Sequence, residues 1–187
     1  MELKLISKTD DEFKNRMAEL LVEGFGENWP NAWPTVEDGM EEVEECLGED
    51  RITLVLLDEE QRVVGWIGAI SQYDGHVWEL HPLVVDQKLR HKGFGRMLVE
   101  GLEEQVRLRG GITIQLGSDD ENGMTSLADV DLYEDLWKKV REIKNIKGHP
   151  YEFYQKCGYK IIGVMPDANG WGKPDIYMGK RVSGKTE

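Results

Sequence analysis

A chain of 187 residues, 40% of them apolar, has the length and core-forming content of one domain, expected to span residues 1–187. Its 36 acidic against 23 basic residues leave a net charge of −13, which argues against nucleic acid and anionic membrane as partners and suits a cationic one, although acidity for solubility alone gives the same number. No apolar run reaches the roughly 18–20 residues that span a bilayer, the opening MELKLISKTDDEFKNRM has no signal-peptide core, and Cys46 and Cys157 lack metal-type spacing, so a cytoplasmic protein with free thiols and no metal is expected.

Residues 2–7 alternate in polarity and predict a strand. Thr9, Asp10 and Asp11 can cap a helix over about 11–24. FGENWPNAWP (25–34) reads as a loop, and residues 35–47 as a second, acidic helix. RITLVLLD (51–58) and RVVGWIGAISQY (62–73), parted by a short polar turn, predict a hairpin, and HVWELHPLVV (76–85) a third long strand. Phe94, Met97, Leu98, Leu102 and Val106 recur at helical spacing within 93–109. ITIQLG (112–117) predicts a short buried strand, 125–145 a helix, and 149–157 a short helix with Pro150 in its first turn and Gly158 at its end. YKIIGVM (159–165) and DIYMGKRV (175–182) close the chain as strands. The order β-α-α-β-β-β-α-β-α-α-β-β implies an α/β (α+β) chain with a mixed, mostly antiparallel sheet flanked by helices.

One segment departs from the acidic background. Lys88, Arg90, Lys92 and Arg96 surround Gly93 and Gly95, where the third long strand gives way to the amphipathic helix. A helix start offers unpaired N–H groups and partial positive charge, and glycines let a phosphate approach the backbone. The Walker lysine and the dinucleotide G-x-G-x-x-G are both absent. A tight turn with a solvated basic face would produce the same residues.

Arg90-x-x-Gly93-x-Gly95, together with WELHPLVV (78–85), RGGITIQLGSDD (109–120) and GHPYEFYQKCGYKIIGVMPDANGWGKPDIYMGK (148–180), resembles the GNAT superfamily of N-acetyltransferases. Within it the chain looks like the aminoglycoside 6′-N-acetyltransferases of the chromosomal enterococcal type. The resemblance implies a twisted sheet with a splayed strand pair, acetyl-CoA as co-substrate, a cationic small-molecule amine as acceptor, and a homodimer. It also implies that Leu83, Val85, Arg90, His91, Lys92, Gly93, Phe94, Gly95, Arg96 and Tyr154 contact acetyl-CoA.

Acetyl transfer to an amine requires a deprotonated amine, a polarised carbonyl, a stabilised leaving thiolate and close approach of the two reactants. Strand alternation puts Glu79, His81 and Leu83 on one face, and Pro82 removes a ladder donor among them. By resemblance, Glu79 and His81 position the amine or accept its proton, the Leu83 N–H polarises the carbonyl, and the Tyr154 hydroxyl serves the thiolate. Trp29 and Asp119 are the candidate substrate contacts. The bland readings stay open: an idle Glu79, a hydrogen-bonded core His81, a packing Tyr154, and Asp119 with Asp120 as turn caps. So do a GNAT enzyme of another amine (polyamine, protein lysine or N-terminus) and a non-catalytic acyl-CoA sensor.

Overall fold

A computed structural model describes residues 1–184. They form two compact units, one of Met1–Ile114 together with the residues from Arg181 onward, the other of Gln115–Lys180. Among the described residues no helix is long and apolar enough to cross a membrane.

The first unit is built on four antiparallel strands, β1 (Glu2–Leu5), β2 (Arg51–Leu57), β3 (Val63–Gln72) and β4 (Val77–Val85), paired in that order. Strands β2 and β3 are nearly continuous apolar runs because helices cover them. Helix α1 (Asp11–Phe25) buries Phe13, Met17, Ala18, Leu20 and Leu21. The indole N–H of the fully buried Trp66 donates to the Met17 carbonyl at 3.1 Å, pinning α1 to β3. Helix α2 (Val36–Cys46) starts in a capping box, in which the Thr35 hydroxyl accepts from the Asp38 N–H and the Asp38 carboxylate accepts from the Thr35 N–H. It approaches α1 closely at Gly39, where a Cβ would lie 2.8 Å from the Ala18 carbonyl oxygen. Helix α3 (Phe94–Leu108) buries Leu98, Leu102 and Val106 of the stripe that its periodicity predicts, together with Val99, while Phe94 is half-buried in the first turn and Met97 is exposed.

The strand β5 (Thr113–Leu116) begins in the first unit, where the Ile112 and Thr113 N–H groups donate to the His76 carbonyl at the head of β4. In the second unit β7 (Asp175–Arg181) pairs antiparallel with β6 (Lys160–Met165), and Ser118 exchanges two backbone hydrogen bonds with Ile176.

The expected helix over 125–145 shortens to α4 (Leu136–Arg141). Side-chain oxygens divert the backbone upstream of it. The buried Asp120 carboxylate accepts from the Met124 and Thr125 N–H groups, the Thr125 hydroxyl from Leu127, and the Asp131 carboxylate from Tyr133. Asp129 and Asp135 both have positive φ, which no helix interior accepts. Helix α5 (Tyr151–Lys156) follows Pro150 and stops before Gly158 at φ +93°.

Strand β4 carries the one irregularity that matters for the site. Ile67 pairs with Leu83 and Ala69 with Leu80, so His81 and Pro82 together oppose Gly68. This is a β-bulge, located where the missing Pro82 donor predicts a break in the ladder. A Cβ on Gly68 would stand 2.4 Å from the His81 carbonyl oxygen, a backbone atom that cannot swing aside. Gly68→Ala is therefore expected to destabilise the protein by about 1–3 kcal/mol, as overpacked sites do. Urea unfolding checks this, and an unchanged midpoint would mean that the bulge tolerates a side chain.

Candidate active site

The bulge sorts the functional groups of β4. Burial alternates along the strand, with Trp78, Leu80, Pro82 and Val84 buried and Glu79, His81 and Leu83 half-buried on the opposite face, as expected. The Asp86 N–H donates to the Val64 carbonyl at 2.9 Å, so those facing residues form a hydrogen-bonded pair. Antiparallel pairs alternate, which makes Leu83 opposite Ile67 and Val85 opposite Gly65 non-bonded pairs. The N–H groups of Leu83 and Val85 consequently point away from β3, toward the other edge of β4.

His81 is held from the α2 side. Its Nε2 lies 3.5 Å from Glu42 Oε1, and the side chains of Glu42 and His81 are 16% and 45% exposed. Glu42 sits inside and the imidazole at the mouth. The Glu42 carboxylate also accepts from the Cys46 thiol at 3.2 Å and from the Trp33 indole. The Trp33 ring lies 5.9 Å from the imidazole and meets Phe25 edge-on at 4.7 Å, and Trp29 packs on the same Phe25 at 5.9 Å. On β4, Glu79 accepts a hydrogen bond from the Gln72 amide.

Glu42, Glu45, Cys46, Arg51, Ile70, Glu79 and His81 line a cavity of about 240 Å³. Burial works against a charged His81, but the hydrogen bond to Glu42 and the charges of Glu42, Glu79 and Glu45 outweigh it, holding the imidazolium above its ordinary range. Glu42 is desolvated too, yet its bonds to His81, Cys46 and Trp33 keep its carboxyl below the usual value. Burial and the neighbouring Glu42 charge push the Cys46 thiol far up, so it stays protonated and unreactive at neutral pH. Three carboxylates line this pocket beside Arg51 and His81, an arrangement that attracts a cation and favours the protonated form of the imidazole.

The basic corner lies farther along the same unit. Gly93 is the N-cap of α3 at φ +89°, and a Cβ there would meet no atom within 4 Å. Glycine is needed here for its backbone angle and leaves open space before the helix start. The N–H groups of Phe94 and Gly95 lie in the first turn of α3, where a helix supplies no intrahelical acceptor. His91, Lys92 and Arg96 are exposed around them. Arg90 does something else: its guanidinium donates to the Gly24 carbonyl at 2.8 Å, tying the connector to the C-terminal end of α1.

In the second unit Tyr154 is buried, its ring 5.1 Å from Phe153 and 5.9 Å from Tyr159. Burial pushes its phenol well above the usual range, so the hydroxyl remains a proton donor. Asp119 is half-buried and accepts from the Asn169 amide. Its backbone carbonyl lies 3.2 Å from His149 Nε2. His149 is buried, accepts the Tyr151 N–H on Nδ1, and is held below its ordinary pKa by that burial. Asp120, His149 and Asn169 thus have structural roles in their loops.

Sequence reasoning had not reached Glu42, Trp33 or Cys46. Glu42 and Cys46 stand four residues apart on one helical face, a signal for mutual contact but not for contact with His81, which is fixed only by tertiary packing.

Comparison with known proteins identifies the family and the fold. Residues 14–136 match the acetyltransferase (GNAT) family. The chain is 43% identical to an aminoglycoside 6'-N-acetyltransferase crystallised with coenzyme A and to the aminoglycoside 6'-N-acetyltransferase from Enterococcus faecium. Each superposes at a TM-score of 0.90 over 100% of both chains. It is 38% identical to aminoglycoside 6'-acetyltransferase type Ii, again over 100% of both chains, at a TM-score of 0.75. A search of curated proteins finds no match.

Proposed function

The chain belongs to the GNAT family of acetyltransferases, and from that premise we propose that it transfers the acetyl group of acetyl-CoA to the 6′-amine of an aminoglycoside. The observation that carries the reading is the carboxylate-lined cavity on β4, set beside backbone donors that face out of the same strand. The 43% identity to two 6'-N-acetyltransferases supports the substrate class. We place the protein in the cytoplasm and as a homodimer. Trp137, Trp171 and Tyr133, at 65%, 89% and 77% exposed, supply apolar surface consistent with self-association.

Acetyl-CoA fits the first unit at two points. The open N-terminus of α3, with Gly93 and the N–H groups of Phe94 and Gly95, suits the pyrophosphate. Lys92 and Arg96 supply its counter-charge, with the exposed His91 beside them. The outward N–H groups of Leu83 and Val85 suit the pantetheine arm and the thioester. Arg90, engaged with Gly24, contributes by fixing the connector rather than by touching phosphate.

The amine enters as an ammonium, attracted by Glu79, Glu42 and Glu45, with Trp29 and Trp33 as flat surfaces beside it. Glu42 faces His81 Nε2 at 3.5 Å and favours the protonated form of the imidazole. Glu79 therefore holds the amine and takes its proton, directly or through water. The free amine attacks the thioester carbonyl, whose oxygen gathers negative charge against the Leu83 N–H. Collapse breaks the carbon–sulfur bond, the attached nitrogen gives up its extra proton to solvent, and the amide and the CoA thiolate result. A protonated Tyr154 has the chemistry required of the acid for that thiolate. Asp119, bonded to Asn169, remains a candidate for ammonium groups remote from the reacting one.

Incubation with acetyl-CoA and a panel of 6′-amino and 6′-hydroxy aminoglycosides, read by mass spectrometry, tests the substrate. One acetyl group is expected on the 6′-amino compounds and none on the 6′-hydroxy ones. Acetylation of a peptide or simple polyamine alone would overturn the aminoglycoside assignment. Tyr154→Phe is expected to lower kcat by roughly 10- to 1000-fold with little change in acetyl-CoA affinity, as for a lost general acid. An unchanged kcat, with chemistry shown to be rate-limiting, would leave Tyr154 a packing residue.

A further inference from the structure

The proposed chemistry makes direct use of Glu79 on β4, yet the same cavity holds a second enclosed carboxylate, Glu42, which comes from helix α2. Its side chain is 16% exposed and surrounded by donors: His81 Nε2 at 3.5 Å, the Cys46 thiol at 3.2 Å and the Trp33 indole. Such enclosure costs solvation, which is offset only when the charge is matched by partners. His81 is the one partner that can carry a matching charge, and it lies at the mouth through which an ammonium must come.

Resting on the reading of this cavity as the amine site, we propose that Glu42 is its positioning residue: it holds the His81 ring against α2, so that the His81 proton and the substrate ammonium compete for the same carboxylates. The groups facing the imidazole are Glu42, Glu45 and Cys46 from α2, Arg51 from β2 and Glu79 from β4. Among them Arg51 is the one fixed cation, and its Nε already donates to the Glu45 carbonyl at 3.3 Å. Cys46 stays neutral, so the carboxylates decide the local potential. The same carboxylates that favour the imidazolium would be engaged by an arriving ammonium. Linkage then requires His81 to bind its proton less tightly when the amine is bound, and to release it to solvent.

The sign follows directly. His81 is held above its ordinary pKa in the free protein, so below its midpoint the pocket carries a proton that the amine must displace. KM for the amine should therefore rise as pH falls through that midpoint, by up to about tenfold per pH unit if the two cations exclude one another fully. Removing the Glu42 charge moves the midpoint, and with it the inflexion in KM, to lower pH. A purely structural Glu42 would change stability or KM without moving the inflexion.

The test uses the full-length protein and its Glu42→Gln and Glu42→Asp variants, with folding verified by circular dichroism. The His81 imidazole is titrated by nitrogen-15 NMR, with His81→Asn to assign the resonance. The expected result is a midpoint moved to lower pH in Glu42→Gln and largely restored in Glu42→Asp, with the KM inflexion for a 6′-amino aminoglycoside moving in step. An unmoved His81 midpoint in Glu42→Gln overturns the proposal, as does a KM inflexion that stays put while the midpoint moves. The spectroscopic arm needs no substrate: its failure counts against the pair, whereas the absence of any acetylated product counts against the aminoglycoside reading.

Discussion

The close approach of the His81 carbonyl to Gly68, where a Cβ would stand 2.4 Å from its oxygen, decides how β4 presents its chemistry. With no Cβ on Gly68, the carbonyl turns in toward β3 and two residues of β4 fit opposite one of β3. On one side of the bulge, the Leu83 and Val85 N–H groups face out of the hairpin and are available to an extended ligand. At the bulge itself, the His81 side chain meets Glu42 of α2 and the ring of Trp33 from the loop before it, and the Cys46 thiol faces the His81 carbonyl. One missing methyl group thus underlies both the backbone donors and the placement of the imidazole.

The acidic composition and the basic corner are two halves of one electrostatic problem. One reactant is a polyanion through its phosphates and the other a cation, and the chain must attract both without letting the attractions cancel. The first unit separates the signs along β4 and its exit. Glu42, Glu45 and Glu79 gather around the cavity, while His91, Lys92 and Arg96 gather at the start of α3. Helix α3 adds its own partial charge where no carboxylate lies in the first turn. Arg16, by contrast, is engaged with Glu19, Glu23 and Asp86 and contributes to the frame of the connector.

The order of elements was legible because the apolar periods are clean and the strands of the first unit are bounded by turn residues. The β4 face and its interruption were legible too: alternation orders Glu79, His81 and Leu83, and Pro82 cannot complete a ladder. The extent of α4 was not. Apolar residues recur through 125–145, but Asp120, Thr125 and Asp131 offer the backbone better local hydrogen bonds than a helix would. Arg90 shows a different limit, since its place in a glycine motif says nothing of the Gly24 carbonyl that becomes its partner. Glu42 shows the same limit from the other direction. It lies among many glutamates of an acidic helix, and only the packing of α2 near β4 singles it out.

The central claim is that the outward N–H groups of β4 receive the acetyl-CoA thioester arm, and amide NMR of the nitrogen-15-labelled protein tests it most directly. On titration with acetyl-CoA, the Leu83 and Val85 amides should shift progressively to saturation together with those of Gly93 and Gly95, while Val84, whose N–H faces β3, moves far less. Saturable acetyl-CoA binding by calorimetry with the Leu83 and Val85 amides unmoved would contradict the account.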